Sequence, residues 1–403
     1  MKSVVIVGAS HAAAEAVSTL KKKGYEGSVT LIGDEPYLPY QRPPLSKKYL
    51  NGDVTLEQLY IKGPATYDDF GVVQKLGRRA ERIDREAQCV ELDDGDKVAY
   101  DHLILATGTR ARELPVDGAN DSRIKYLRTK TDVDSIRDSV DAGSRMLIIG
   151  AGYIGLEVAA SAIKLGCSVT VLEAMERVLQ RVTGPEISDF YQAVHREAGV
   201  DVRLNTTVSK FTAHTDHMIA HLGSGEELEF DIAVVGIGVI PNTELAEQAG
   251  LACDNGIVVN EFCQTADPKI YAVGDCSNHP NFIYDRRLRL ESVPNAMGQA
   301  KTAAGHICGD AVAYDEVPWL WSDQYEVKLQ TTGLSQGYDQ VVVRGDMEAR
   351  KFAVFYLAEG RLLAVDAINS PAEFMVSKKL VAAKATPDPA SLANLDIAMK
   401  TLV

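Results

Sequence analysis

The chain lacks the local signatures of a cysteine-based centre. Its six cysteines (Cys89, Cys167, Cys253, Cys263, Cys276 and Cys308) form no C-x-x-C or C-x-x-x-x-C pair and show no metal-type spacing. That scatter argues for reduced thiols and against a disulfide framework, a bound cluster or thiol-disulfide cycling, which needs two neighbouring thiols. No apolar run approaches the roughly 18 residues of a membrane span. The first strand, Val4 to Val7, leaves no room for a signal peptide, so a cytoplasmic protein is expected. Cations are in deficit, 42 Lys and Arg against 56 Asp and Glu, and the net charge of -14 argues against general affinity for nucleic acid or anionic membrane. Tryptophan is scarce, and both copies, Trp319 and Trp321, stand together. What remains, 46% hydrophobic and 24% charged over 403 residues, fits a globular protein of two or three domains.

The most informative stretch is Arg145 to Glu173. An apolar strand, Met146 to Ile149, enters the turn Gly150-Ala151-Gly152-Tyr153-Ile154-Gly155; a helix follows, and the strand Ser168 to Leu172 stops on Glu173. A strand, a G-x-G-x-x-G turn, a helix and a strand ending in an acid form a dinucleotide site. Gly150 allows the sharp turn, Gly152 lets a pyrophosphate approach, Gly155 lets the helix lie close on the sheet, and the helix N-terminus presents free N–H groups. Glu173, roughly twenty residues on, can accept ribose hydroxyls.

Residues 1–34 repeat the pattern. Strand Val4 to Val7 leads into Gly8-Ala9-Ser10-His11-Ala12-Ala13, a helix runs to about Lys23, and strand Ser28 to Ile32 is followed by Gly33-Asp34. Ser10 replaces the second glycine and Ala13 the third, so the closest approach of a pyrophosphate here is altered. The alternative is an ordinary βαβ unit with a tight turn. Both copies later close with an apolar strand ending in glycine, Val98 to Gly108 (with Ala106-Thr107-Gly108) and Phe230 to Gly238, which marks an internal duplication.

Between these lies Pro39 to Lys48, a proline-stiffened cationic loop containing Arg42 and Lys47, in which Ser46 or a neighbour starts a short helix. Lys47 is either a fixed charge beside a cofactor or a solvated surface lysine. Residues 53–101 read as helix-poor short strands. Later helices are expected at Thr131 to Val140, Pro185 to Ala198 and Val293 to His306. The run Ile270 to Cys276 ends a strand in Gly274-Asp275, placing a carboxylate where α/β sheets bind ligands. From about Val317 the pattern becomes that of a separate domain of three or four strands and two closing helices. There the two tryptophans are either core or a surface for cofactor or partner.

Assembled, these segments resemble the flavoprotein ferredoxin reductases that serve bacterial haem monooxygenases and ring-hydroxylating dioxygenases. The resemblance covers nearly the whole chain, through Pro43-Pro44-Leu45-Ser46-Lys47, Tyr126-Leu127-Arg128-Thr129, Gly150 to Glu157, Ala272 to Cys276, Glu291 to Ala296 and Trp321 to Tyr325. It implies a glutathione-reductase-like α/β fold with two Rossmann-like dinucleotide-binding domains and a C-terminal α+β domain. The FAD domain would take residues 1–111 and 239–316, the NADH domain 112–238 and the C-terminal domain 317–403.

The resemblance implies FAD contacts at Ala12, Asp34, Lys47, Ala80, Arg128, Asp275 and Val293. Gly8, Ser10, His11, Arg42, Ala106, Thr107, Gly108, Gly274, Glu291, Ser292 and Trp321 are candidate neighbours in the same segments. NADH contacts are implied at Gly150, Gly152, Tyr153, Ile154, Gly155, Glu157, Glu173 and Gly238. Lys47 would carry the positive charge beside the flavin, with Glu157 as its partner when nicotinamide is absent. No metal site is expected.

The implied electron acceptor is a small acidic 2Fe-2S ferredoxin. Docking it on an acidic chain needs a local basic surface, and Arg286, Arg287 and Arg289 or Lys378, Lys379 and Lys384 are either that surface or scattered solvated charges. Rubredoxin reduction, NADH oxidation and a flavin-bound redox sensor are alternatives on the same fold. Disulfide reduction is disfavoured by the missing thiol pair.

Overall fold

The computed structural model describes residues 2–402. The chain divides into two compact units. One comprises Met1–Arg42, Leu56–Arg110 and Ile240–Pro318; the other comprises Pro43–Thr55, Ala111–Val239 and Trp319–Val403.

The first unit is built on a five-stranded parallel sheet in the order Ile270–Ala272, His102–Leu105, Ser3–Val7, Ser28–Gly33 and Val72–Leu76. Its strands are β-branched and leucine-rich because both faces are covered, as parallel sheets require. Helices His11–Lys22 and Val293–Ile307 cover one face. They meet through Ala12, Ala13 and Ala16 on one side and Ala296, Ala300, Ala303 and Ala304 on the other, all in one buried cluster. A short antiparallel sheet, Ala80–Asp84, Cys89–Leu92 and Lys97–Ala99, lies outside the parallel one. The stretch expected to be helix-poor opens with two short helices, Leu56–Leu59 and Pro64–Asp69, before its strands begin.

His279 is fixed inside this unit. Its Nδ1 accepts from Gln299 Nε2 at 2.9 Å, and it is 1% exposed. Burial, with Arg287 nearby, pushes its imidazole down to about 4. A depressed histidine contributes stability that is present above its unfolded value of about 6.5 and is lost as pH falls toward 4. His279→Asn, which keeps an acceptor near Nδ1 but cannot titrate, should make urea unfolding less acid-sensitive by roughly 2.5 kcal/mol at pH 4.5. Parallel stability curves for parent and variant from pH 7.5 to 4.5 would contradict this.

The second unit repeats the parallel sheet, in the order Asp201–Arg203, Ser168–Leu172, Arg145–Ile149, Ile232–Val235 and Ile124–Tyr126. Four of the five positions match the first unit strand for strand, but one edge strand does not. In the first unit it comes from late in the chain, at Ile270; in the second it comes from before the motif, at Ile124. That strand, only three residues long, carries no pattern of its own in the sequence. A three-stranded antiparallel sheet, Val208–Ala213, Met218–Leu222 and Glu227–Phe230, packs its apolar face on the parallel sheet through Phe211, Met218 and Phe230.

The C-terminal part has five antiparallel strands rather than three or four. The order is Trp319–Gln324, Val327–Gly333, Arg361–Ile368, Lys351–Ala358 and Gln340–Asp346. The additional strand is the tryptophan segment itself, whose alternation is hidden by its polar end, Ser322-Asp323-Gln324. Helices Pro371–Ala382 and Pro389–Ala393 follow, and the last turn, Met399–Leu402, is 3-10. Among the described residues no helix is long and apolar enough to cross a membrane.

Candidate functional site

In the first unit a cavity of about 770 Å3 opens at the C-terminal ends of the parallel strands. Gly8, Asp34, Ala80 and Thr107 all line it. Gly8 leaves its strand at φ +111°, and a Cβ there would lie 2.1 Å from the Ala106 carbonyl oxygen, so the turn and the Ala106-Thr107-Gly108 strand end fit only around glycine. Thr107 is held in turn by Asn242, whose carbonyl accepts its hydroxyl at 2.7 Å and whose Nδ2 donates to its carbonyl at 2.9 Å.

Arg78, Arg79, Glu81, Arg110, Asn242, Glu244, Leu245 and Gln248 also line it. None was singled out from the sequence. They come from three separate segments, and only the tertiary fold gathers them at the sheet edge. A cavity of this size, with an exposed carboxylate at Asp34, arginines and a glycine turn, fits a dinucleotide.

Ser10 ends up in a role of its own. It precedes helix His11–Lys22 but makes no side-chain cap. Its hydroxyl instead accepts from Arg42 Nε at 3.2 Å, and Arg42 also pairs with Glu35 at 2.6 Å and donates to the Tyr40 hydroxyl at 3.2 Å. The departure from glycine is thus accommodated by drawing the serine toward Arg42.

The Gly274-Asp275 turn is seated between two helix starts. A Cβ at Gly274 would lie 3.4 Å from Ala296 Cβ and 3.7 Å from Ala12 Cβ. Gln299 Oε1 accepts both the Gly274 N–H and the Ser277 hydroxyl at 2.7 Å, fixing the turn from the helix that Ser292 caps and Val293 opens. Glu291 pairs with Arg289 at 2.8 Å. Sequence reasoning missed Gln299, whose only signal is that it lies on the buried face of that helix.

In the second unit Gly150 turns at φ +102°, with a Cβ position 2.4 Å from the Gly236 carbonyl. A Cβ at Gly155 would strike the Gly150 carbonyl at 2.0 Å, whereas at Gly152 nothing stands within 4 Å. Two glycines are therefore required by packing, and the third leaves open space at the start of helix Tyr153–Lys164, the cradle a pyrophosphate needs. Ile154 faces out, 44% exposed. Glu173 accepts the Ala151 N–H at 2.7 Å and the Met175 N–H at 2.9 Å, one on each oxygen. Arg177, the nearest cation along the chain, donates instead to Ser188 Oγ at 2.7 Å and to the Thr183 carbonyl. Gly238, at φ +108°, lies near Arg181, and its carbonyl accepts from Arg112 at 2.9 Å.

The proline-stiffened loop also belongs to this unit from Pro43 onward. Residues Pro43–Ser46 form a 3-10 helix. Ser46 thus closes a helical turn rather than starting one, because Pro43 and Pro44 supply the preset φ of its first residues. Lys47 follows directly and pairs with Glu157 at 2.7 Å. Glu157 is 3% exposed, and its carboxylate is surrounded by donors: Ser46 Oγ at 2.5 Å and Lys47 on Oε2, and Ser322 Oγ at 2.6 Å on Oε1. Lys47 is thus neither solvated surface nor a lone charge. Thr129 caps helix Lys130–Arg137 with a reciprocal box through Asp132, and Asp132 also accepts the Arg128 N–H at 3.0 Å.

Trp319 and Trp321 are half-buried neighbours, ring centroids 5.7 Å apart. Trp319 packs on Phe374 at 5.5 Å and under Lys378, whose ammonium is 5.1 Å from its ring. The basic cluster Arg286, Arg287 and Arg289 is partly turned inward. Arg287 donates to the carbonyls of Val259 and Asn278, and Arg289 to Asn255 and the Asp275 carbonyl while pairing with Glu291.

Residues 2–300 match the family model described as pyridine nucleotide-disulphide oxidoreductase, and residues 319–403 the one described as reductase C-terminal. The chain belongs to the pyridine nucleotide-disulphide oxidoreductase family. Within the family it is similar to putidaredoxin reductase CamA of Pseudomonas putida, 45% identical over 100% of this chain and 96% of that one. It is also 41% identical to a ferredoxin–NAD(P)+ reductase of a Sphingomonas species, over 96% of this chain and 94% of that protein. A solved covalent complex of putidaredoxin reductase with putidaredoxin superposes with a TM-score of 0.96 at 45% identity, covering 100% of this chain and 98% of that one. The disulphide in the family's name has no counterpart here: all six cysteines are free, four of them buried.

Proposed function

We propose that this chain is a cytoplasmic FAD-dependent NADH:ferredoxin oxidoreductase. It takes hydride from NADH and passes single electrons to a small acidic 2Fe-2S ferredoxin serving an oxygenase. One observation carries the reading. Two dinucleotide turns lie in a chain whose cysteines form no disulphide and no neighbouring pair in the sequence, which favours an external acceptor for electrons taken from a nicotinamide over an internal thiol pair. The similarity to putidaredoxin reductase, solved in covalent complex with putidaredoxin, supports the kind of partner.

The residues divide the work as follows. Gly8, Asp34, Ala80 and Thr107 line the FAD cavity, with Asp34 as acceptor for ribose hydroxyls. Asp275 and the start of helix Val293–Ile307 would take the ribityl and pyrimidine side. Gly150, Gly152 and Gly155 form the NADH turn. Bound flavin supplies the chemistry, accepting two electrons as hydride and releasing them singly. The chain itself contributes placement, exclusion of water and a fixed positive charge, the Lys47 ammonium that Glu157 holds.

Glu173 selects the coenzyme. Its lone pairs left free by Ala151 and Met175 accept ribose hydroxyls and repel a 2′-phosphate, and Arg177 is engaged elsewhere. The expected kcat/KM ratio favours NADH over NADPH by on the order of one hundredfold, about 2.7 kcal/mol. Glu173→Arg should narrow or invert it. NADH-driven cytochrome c reduction should depend on added 2Fe-2S ferredoxin and weaken as salt rises. Equal efficiency with both coenzymes would sink the NADH assignment, and fast turnover without ferredoxin would favour an oxidase.

A further inference from the structure

The Lys47–Glu157 pair is the end of a longer buried chain. Glu157 Oε1 accepts the Ser322 hydroxyl at 2.6 Å, and Ser322 Oγ accepts Gln324 Nε2 at 3.2 Å. Gln324 Oε1 lies 2.8 Å from His195 Nε2, and His195 Nδ1 lies 3.1 Å from the Tyr325 hydroxyl. Of Glu157, Ser322, Gln324 and His195, none is more than 3% exposed. They sit on helix Tyr153–Lys164, strand Trp319–Gln324 and helix Pro185–Glu197, and Tyr325 lies in the turn after the strand, all within the second unit.

Valence fixes the direction of every bond from one end. A carboxylate offers only lone pairs, so Ser322 must donate its single hydrogen to Glu157. Its oxygen then only accepts, which turns the Gln324 NH2 toward Ser322 and the Gln324 carbonyl toward His195. His195 must therefore carry its hydrogen on Nε2, and the neutral ring presents Nδ1 as acceptor to the Tyr325 hydroxyl. Burial favours that neutral ring. Every donor in the chain points toward Glu157, and bonds aligned in this way reinforce one another.

We propose that His195, Gln324 and Ser322 are positioning residues for Glu157. They hold one carboxylate oxygen so that the other faces Ser46 and Lys47, which fixes where the ammonium stands. The proposal rests on the reductase reading above. The terminal torsion of a glutamate is broad and roughly two-fold. Without a directed donor on Oε1 the carboxylate can turn, and Lys47 loses the geometry that Oε2 gives it.

The test uses the flavin-loaded protein with His195→Leu, His195→Gln and Gln324→Met. Bound FAD per chain and NADH affinity should stay within twofold of the parent. Stopped-flow reduction of the flavin by NADH should slow three- to tenfold in His195→Leu and Gln324→Met, and the flavin midpoint potential should shift. His195→Gln, whose amide nitrogen can replace the Nε2–H donor, should recover both. In a Lys47→Met background the Gln324→Met change should no longer affect the rate, since both act through one group. Additive losses, or a Gln324→Met protein with parental rate and potential, would overturn the proposal. Nitrogen-15 NMR of the unmutated protein gives a measurement independent of folding defects in the variants. His195 should be the Nε2–H tautomer, and an Nδ1–H tautomer would reverse the chain and overturn the proposal. A parent protein that binds no flavin or is not reduced by NADH refutes the reductase reading itself, before any variant is made.

Discussion

Lys47→Met should slow reduction of the bound flavin by NADH by on the order of one hundredfold, about 2.7 kcal/mol in the barrier, with NADH affinity nearly unchanged. Methionine keeps the length and apolar stem of the side chain and removes only the charge. The ammonium is held at 2.7 Å by a carboxylate that is itself almost completely buried, so its position is set before any coenzyme arrives. A preset charge costs no reorganisation during the reaction, which is why its loss should appear in the rate rather than in binding. The partner substitution separates the two contributions. Glu157→Gln leaves the lysine cation without its counter-charge and should destabilise the protein by about 3 kcal/mol, at the lower end of what breaking a buried pair costs. Parental stopped-flow rates in Lys47→Met would remove the lysine from the chemistry, whatever the Glu157 variant does to stability.

Gly8→Ala should abolish retention of FAD. The new Cβ would stand 2.1 Å from the Ala106 carbonyl oxygen, at a φ of +111° that L-residues avoid. Neither side can yield cheaply, because the Gly8 backbone that would carry the Cβ and the Ala106 carbonyl both follow directly on paired parallel strands, Ser3–Val7 and His102–Leu105. Overpacking at about 1 to 3 kcal/mol and the left-handed backbone at about 1 to 2 kcal/mol together give roughly 2 to 5 kcal/mol. The strain falls at the mouth of the cavity. Gly24→Ala is the matched control: its φ is +72°, but nothing lies within 4 Å of the added carbon. It should lose about 1 kcal/mol or slightly more and keep its yellow colour after desalting. Equal FAD content and equal melting temperature in the two variants would show that the close approach to Ala106 is not what forms the site.

The parallel strands were legible because their residues alternate with glycine turns and acids at fixed spacing. Val4 to Val7 and Met146 to Ile149 are followed by the residues a sharp turn and a close helix require, and the structure turns at Gly8 and Gly150. Local chemistry is enough there, since each turn is made by a few consecutive residues. The outer strand Ile124–Tyr126 was not legible: three residues in length, it is a strand only because Ile232–Val235 offers it an edge. The fifth C-terminal strand was missed for a related reason. The polar side chains Ser322 and Gln324 interrupt its pattern, yet both are buried because they hydrogen-bond across to Glu157 and His195.

The same division holds for the candidate site. The sequence by itself determined that the chain carries two dinucleotide turns, each with its terminal acid, Asp34 and Glu173, and that its cysteines cannot pair as neighbours. These are short-range matters of spacing, backbone freedom and charge. That Lys47 pairs with Glu157, 110 residues further along, was implied by the resemblance alone, and the tertiary structure brings the two together at 2.7 Å. Only the tertiary structure decided that Ser322, Gln324 and His195 extend that pair inward, that Arg42 occupies Ser10, and that Asn242 secures Thr107. A Lys-Lys pair after a proline-stiffened turn reads equally well as solvated surface, because a charge acquires a function from the partners that desolvate and orient it. Those partners lie far apart in the chain, and only packing brings them together.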